Sequence, residues 1–155
     1  MSHWIFQSTP KHFDLPRALQ EVTAHDNVLT FLANQHTAEI APGDTVYLCF
    51  GGEKKRAGLY AIATVQTRPS AIVPDQWQRH HAQGKEPHSA DERKTTAPRV
   101  RLKIQRVLEV PIPRESLYRL RELSSHKFVK AHIGTNFLLA DHQARAIEGL
   151  IAGEV

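Results

Sequence analysis

The stretch that decides the fold is residues 45–65, TVYLCFGGEKKRAGLYAIATV. Val46, Leu48 and Phe50 alternate with Thr45, Tyr47 and Cys49, the period of two that a strand requires. Gly51-Gly52-Glu53-Lys54-Lys55-Arg56 reads as a loop, and residues 57–67 predict a second, longer strand. Consecutive strands joined by a short glycine-containing link pair as a hairpin, here with a cationic tip. Just upstream, Ala41-Pro42-Gly43-Asp44 is a turn, because Pro presets φ and Gly tolerates the left-handed region.

Working outward, Trp4-Ile5-Phe6 is a short β-prone run that stops at Ser8-Thr9-Pro10. Asp14 ahead of Leu15-Pro16-Arg17-Ala18-Leu19 places a cap and an early Pro at a helix start. Phe31, Leu32, Ala38 and Ile40 predict a second short helix within residues 30–40. Residues 68–98 contain Pro69, Pro74, Pro87 and Pro98 and little apolar periodicity, so they read as a long loop with one short helix anchored by Trp77. From 99 to 108, Val100, Leu102 and Ile104 alternate with Arg99, Arg101, Lys103 and Gln105, and Pro111-Ile112-Pro113 is expected to end that strand. A helix opens at Arg114, carrying Leu117, Leu120 and Leu123. A short strand at 137–139 follows, and Asp141 is expected to cap a final helix facing inward with Ala144, Ile147, Leu150 and Ile151. This order lacks alternating βαβ units, so the expected class is α+β: a small curved sheet or barrel flanked by helices, in one domain.

At 155 residues, with 41% hydrophobic and 23% charged residues, the chain is neither disordered nor a coiled coil. A net charge of +4 permits a polyanionic partner without demanding one. The single Cys49 cannot form an internal disulfide, and the N-terminus lacks a signal-peptide pattern. The longest apolar stretch, residues 57–65, falls short of the roughly 20 residues of a membrane helix. A cytoplasmic location with no membrane partner is the expectation.

Catalytic signals are missing. His80, His81, His88, His126 and His132 form no HExxH and sit beside no CxxC, so they read as solvated imidazoles, with no metal or cofactor expected. No serine has a GxSxG context, Cys49 lies within a strand, and Gly51-Gly52 lacks the GxxxxGK[ST] spacing of a phosphate loop. No catalytic residue is therefore predicted. Lys54, Lys55 and Arg56 at the hairpin tip, and Arg99, Arg101, Lys103 and Arg106 along one strand, suit either a phosphodiester track or an ordinary solvated face. Trp4, Phe31, Phe50 and Tyr60 suit either a core or a cage for an extruded base, with the Asn34 amide placed to read the base edge.

Several segments together resemble one family. His3-Trp4-Ile5-Phe6-Gln7-Ser8-Thr9-Pro10 resembles the opening of EVE domains, members of the PUA-like superfamily. Ile40-Ala41-Pro42-Gly43-Asp44-Thr45-Val46-Tyr47 resembles the family's strand entry, and residues 57–65 its following strand. Gly134-Thr135-Asn136-Phe137 is similar to a segment of the prokaryotic branch. Residues 30–36 match a segment where many relatives read TWxVNxH, with Phe31 in place of Trp, and Thr9 stands where the eukaryotic-type KSEP motif has Glu.

The resemblance implies a PUA-like mixed β-barrel flanked by helices, one EVE domain over 1–155 with a long flexible loop at about 68–98, of which residues 70–97 would be a flap over the groove. It implies a non-catalytic module that flips a modified base into an aromatic-lined pocket. 5-Methylcytosine or 5-hydroxymethylcytosine in DNA is the first expectation, with N6-methyladenine next. Trp4, Phe31 and Phe50 would be walls and Ser8 and Asn34 edge readers, with Lys54, Lys55, Arg56, Arg99, Arg101 and Lys103 on the backbone. An effector, such as a nuclease or restriction subunit, would be a separate chain. Two alternatives stay open: an RNA-binding module of the same fold, and an amidohydrolase like some ASCH domains, for which Glu53-Lys54 is the only nearby pair.

Overall fold

The computed structural model describes residues 1–10, 13–52, 54–79, 81, 97–130 and 134–153. Its centre is a six-stranded sheet that curls into a half-barrel. The strands are β1 (His3–Ser8), β2 (Val28–Leu32), β3 (Thr45–Phe50), β4 (Gly58–Val65), β5 (Arg99–Pro113) and β6 (Asn136–Leu139), and the spatial order is β2-β5-β4-β3-β1-β6. The quoted stretch is the antiparallel β3–β4 hairpin. β1 runs parallel to β3 and antiparallel to β6; α1 (Leu15–Glu21) and β2 lie in the crossover between β1 and β3.

Alternation buries both faces. Trp4, Phe6, Val46, Leu48, Ala61, Ala63, Val100 and Leu102 point inward, where Leu15, Ala18 and Leu19 of α1 pack against them. Asp14 caps α1, accepting a hydrogen bond from the Arg17 N–H at 3.3 Å. Ile5, Tyr47, Cys49 and Leu59 point outward and are covered by α3 (Arg114–Tyr118), α4 (Lys127–Lys130) and α5 (Asp141–Gly153) through Leu117, Phe128, Ala144 and Ile147. Asp141 is not the cap of α5 but its first residue. Gln143 reaches back instead, accepting from the Ala140 N–H at 2.8 Å.

Two further expectations are corrected. Residues 30–40 hold no helix: Thr30, Phe31 and Leu32 lie in β2, paired with Arg101, Val100 and Arg99. The chain then turns at His36, whose φ is 53°. Nor does Pro111-Ile112-Pro113 end β5, which continues to Pro113. β2 pairs only with Arg99–Lys103, so the far half of β5 is laddered on one side and its prolines need donate nothing there. Gly58 faces Pro113 so closely that a Cβ would meet the Ile112 carbonyl oxygen at 2.2 Å. The expected long loop begins with a bridge at Ser70 and the short α2 (Gln76–Arg79); residues 80 and 82–96, the body of the expected flap, lie outside the described residues.

Candidate functional site

The inner aromatics fall into two groups. At the end of the half-barrel where β1 and β3 finish, Ser8 and Phe50 are register partners, and the Gly51 N–H donates to the Ser8 carbonyl at 2.8 Å. A bulge in β4 lies between the pairs Leu48↔Ala61 and Cys49↔Leu59, leaving Tyr60 as the extra residue. Tyr60 meets the Phe50 ring edge-on at 6.3 Å and donates its hydroxyl to the Arg56 carbonyl at 2.6 Å. The Arg56 guanidinium lies 5.0 Å from the Phe50 ring centroid and donates to the Asp14 carboxylate at 2.8 Å. This end thus holds a serine, a phenylalanine, a tyrosine and an arginine restrained by an aspartate.

Deeper inside, the Trp4, Phe6 and Phe31 rings follow one another at 6.3 and 5.6 Å. Trp4 is fully buried, and its indole N–H donates to Asp44 at 2.9 Å. The same carboxylate accepts the Ser2 N–H at 3.0 Å and the Ala41 N–H at 3.0 Å. Asp44 therefore ties β1, the turn and the start of β3 together, a role legible only as the Gly-Asp step before the strand. His36 lies 5.4 Å from the Trp4 ring, and Asn34, between the end of β2 and His36 in the chain, is exposed. Trp4, Phe31 and Phe50 are 0%, 4% and 1% exposed, so a planar ligand would reach them only by displacing what covers them.

The cations divide as well. Lys54 and Lys55 are exposed at the tip preceding β4, while Lys103 pairs with Thr64 near the other end of that strand. About 20 Å of extended chain separates the two clusters. Lys103 donates to the Asp26 carbonyl at 2.6 Å, and Arg101 lies 4.0 Å from Asp75. Arg99 does not share their exposure. It is 4% exposed and donates to the Thr30 hydroxyl at 3.0 Å and the Thr30 carbonyl at 3.3 Å. Gln78 of α2 completes this buried group, accepting from the Thr30 N–H at 2.8 Å and donating to the Thr30 carbonyl at 2.6 Å. Gln78 thus fastens α2 to Thr30, against which Arg99 is buried, and this leaves Arg101, Lys103 and the exposed Arg106 as the solvent-facing cations of that strand.

Among the described residues, no group of three or more His, Cys, Asp or Glu could hold a metal. His81 contacts Glu21 at 2.6 Å, His36 contacts Glu39 at 2.8 Å, and His25 stacks on Trp77 at 4.3 Å. Burial pushes the Cys49 thiol far above its ordinary value, so it is a core hydrophobe in place of a nucleophile. Glu53, the acid of the hydrolase alternative, lies outside the described residues. No described helix is long and apolar enough to cross a membrane.

Over residues 2–150 the sequence matches the family described as EVE domain. No curated protein sequence matches the chain. Among solved structures, human THYN1 in complex with 5-methylcytosine-containing DNA is similar in fold, with a TM-score of 0.66 and 11% identity, covering 99% of this chain and 98% of that one. A hypothetical protein from Leishmania major gives a TM-score of 0.69 at 13% identity, over 99% and 96% of the two chains. A Pseudomonas syringae protein, PSPTO5229, gives 0.69 at 13% identity, over 97% and 99%. The half-barrel with its flanking helices is the PUA-like fold that THYN1 shares.

Proposed function

The chain belongs to the EVE-domain family, and we propose that it is a non-catalytic nucleic-acid-binding module that recognises a modified base in DNA, 5-methylcytosine or 5-hydroxymethylcytosine first. The observation that carries the reading is likeness in fold, over nearly the whole of both chains, to a human protein solved with 5-methylcytosine DNA. The inner aromatics support it. An extruded base gains about 1–3 kcal/mol from each ring it stacks on, and Phe31 and Phe50 line the same inner core.

In this reading Phe50 and Phe31 form the walls of the pocket. Trp4 is the fixed floor, because Asp44 already holds its indole N–H. Ser8 and Asn34 supply hydrogen bonds to the base edge. Entry moves Arg56 off the Phe50 ring and onto the phosphate flanking the extruded nucleotide, with Lys54 and Lys55 beside it. Arg101 and Lys103 hold more distant phosphates. The smaller Phe31 wall, where many relatives carry Trp, favours a pyrimidine over a purine. The module works in the cytoplasm, and a separate chain such as a nuclease or restriction subunit acts on the bound DNA.

Titration of short duplexes carrying one 5-methylcytosine, 5-hydroxymethylcytosine or N6-methyladenine, against the unmodified duplex, tests the reading. A preference for a modified cytosine is expected at moderate salt. Equal binding of all four overturns it, and tighter binding of the same sequences as RNA replaces it with an RNA module.

A further inference from the structure

The outer strands of the half-barrel, β2 and β6, are joined by side chains in place of a backbone ladder. Asn136, the first residue of β6 and 2% exposed, donates from its amide to the Leu32 carbonyl at 2.9 Å. Its amide oxygen accepts the Gln35 N–H at 3.2 Å. In return, Gln35 Oε1 accepts the Thr135 N–H at 2.7 Å and the Asn136 N–H at 2.9 Å. Four hydrogen bonds thus bracket residues 32–35 from both ends, and residue 34 is the exposed position inside the bracket.

Other contacts hold the same turn. The Thr37 hydroxyl donates to the Ala33 carbonyl at 2.9 Å, and the Ala33 N–H donates to the Pro98 carbonyl at 2.9 Å. Gly134 has φ +123°, and a Cβ there would lie 3.2 Å from Gln35 Oε1 and 3.0 Å from the Phe137 ring. A glycine is therefore needed for the β6 entry to present its N–H groups to Gln35. Closing the half-barrel in general requires no glutamine amide at one exposed turn. What this arrangement adds is a fixed backbone at Asn34.

We propose that Gln35 and Asn136 are positioning residues for base recognition: they lock the turn bearing Asn34, and this lock sets discrimination between modified and unmodified bases. The proposal rests on the modified-base reading above. An amide on an unrestrained turn spends its hydrogen-bond energy on ordering the chain, whereas a pre-ordered one retains it for the ligand. The restraint acts on the read base and leaves phosphate contacts, which carry non-specific affinity, untouched.

The test compares Gln35→Ala, Gln35→Glu and wild type for binding to a duplex with one 5-methylcytosine and to its unmodified counterpart. Gln35→Ala leaves the Thr135 and Asn136 N–H groups without their acceptor, so it should stay folded with a melting temperature lower by about 2–6 °C. Its affinity for the methylated duplex should fall about fivefold, the scale of one or two lost hydrogen bonds, with unmodified binding unchanged. Gln35→Glu should restore the preference, because both side-chain bonds use an acceptor oxygen that glutamate supplies. A wild-type preference that persists in full in Gln35→Ala overturns the positioning role alone. Loss in Gln35→Ala without rescue in Gln35→Glu also overturns it. A wild type with no preference overturns the base-reading function and this role with it.

Discussion

Asp14→Asn removes one of the contacts that hold Arg56 in place. In the native structure the Arg56 guanidinium donates to Asp14 at 2.8 Å, with side-chain exposures of 38% and 19%. A pair exposed to this degree is screened, and contributes about 0.5–1 kcal/mol. If Arg56 must leave Asp14 to reach a phosphate, that amount is subtracted from every binding event. Removing the charge should raise affinity about two- to fivefold, equally for methylated and unmodified duplexes. Asn also caps helices well, so α1 keeps its start, and melting should fall by only about 1–4 °C. The salt slope should change little, because the bound Arg56 meets the flanking phosphate in both proteins and only the cost of releasing it differs. Fluorescence anisotropy at several salt concentrations, for Asp14→Asn with and without Arg56→Ala, separates the causes. A gain that survives in the double variant would mean simple relief of repulsion by Asp14, and no gain at all would refute the cost of parting Arg56 from Asp14.

Three further outcomes are expected. Asp44→Ala leaves the Ser2, Trp4 and Ala41 donors without their acceptor; chemical denaturation should show a loss of about 3 kcal/mol, and a loss below 1 would contradict the hub role. Phe31→Leu keeps an apolar residue in a site that is 4% exposed but removes the flat ring; binding to methylated DNA should drop several-fold with unmodified binding unchanged, whereas equal losses would assign Phe31 to the core alone. Cys49, buried with its thiol pushed far up, should resist a disulfide-exchange reagent in the native protein and react at the rate of unfolding; prompt labelling at neutral pH would show an open outer face.

The hairpin of β3 and β4 was legible because its alternation is local, and both of its faces bury the residues that the period of two assigns. β2 was not. Phe31, Leu32, Ala38 and Ile40 suit a helix when read alone, but Thr30 pairs with Arg101, which no local pattern announces. Arg99 shows the opposite limit. The alternation placed it correctly opposite Val100, yet α2 folds over that spot through Gln78 and takes its guanidinium out of the basic face. Pro111 and Pro113 misled because a proline disrupts a ladder only where an N–H is required. Of the candidate site, the aromatic and cationic residues could be named from sequence. Asp14, Asp44, Gln35 and Asn136 act across long separations and became visible only once the strands were ordered.

The position of β1 carries a consequence for how the chain is made. Trp4 lies between Val46 on one side and Leu138 on the other, so β1 is flanked by a strand far later in the sequence. On the ribosome β1 can dock on β3 early, but its other edge stays open until residues 136–139 emerge. Pairings this distant in sequence raise the contact order and slow the final step of folding. Deleting β6 would expose an edge next to a fully buried tryptophan. β1 and β6 thus act as a single closing seam, and a mutation that loosens either should open both.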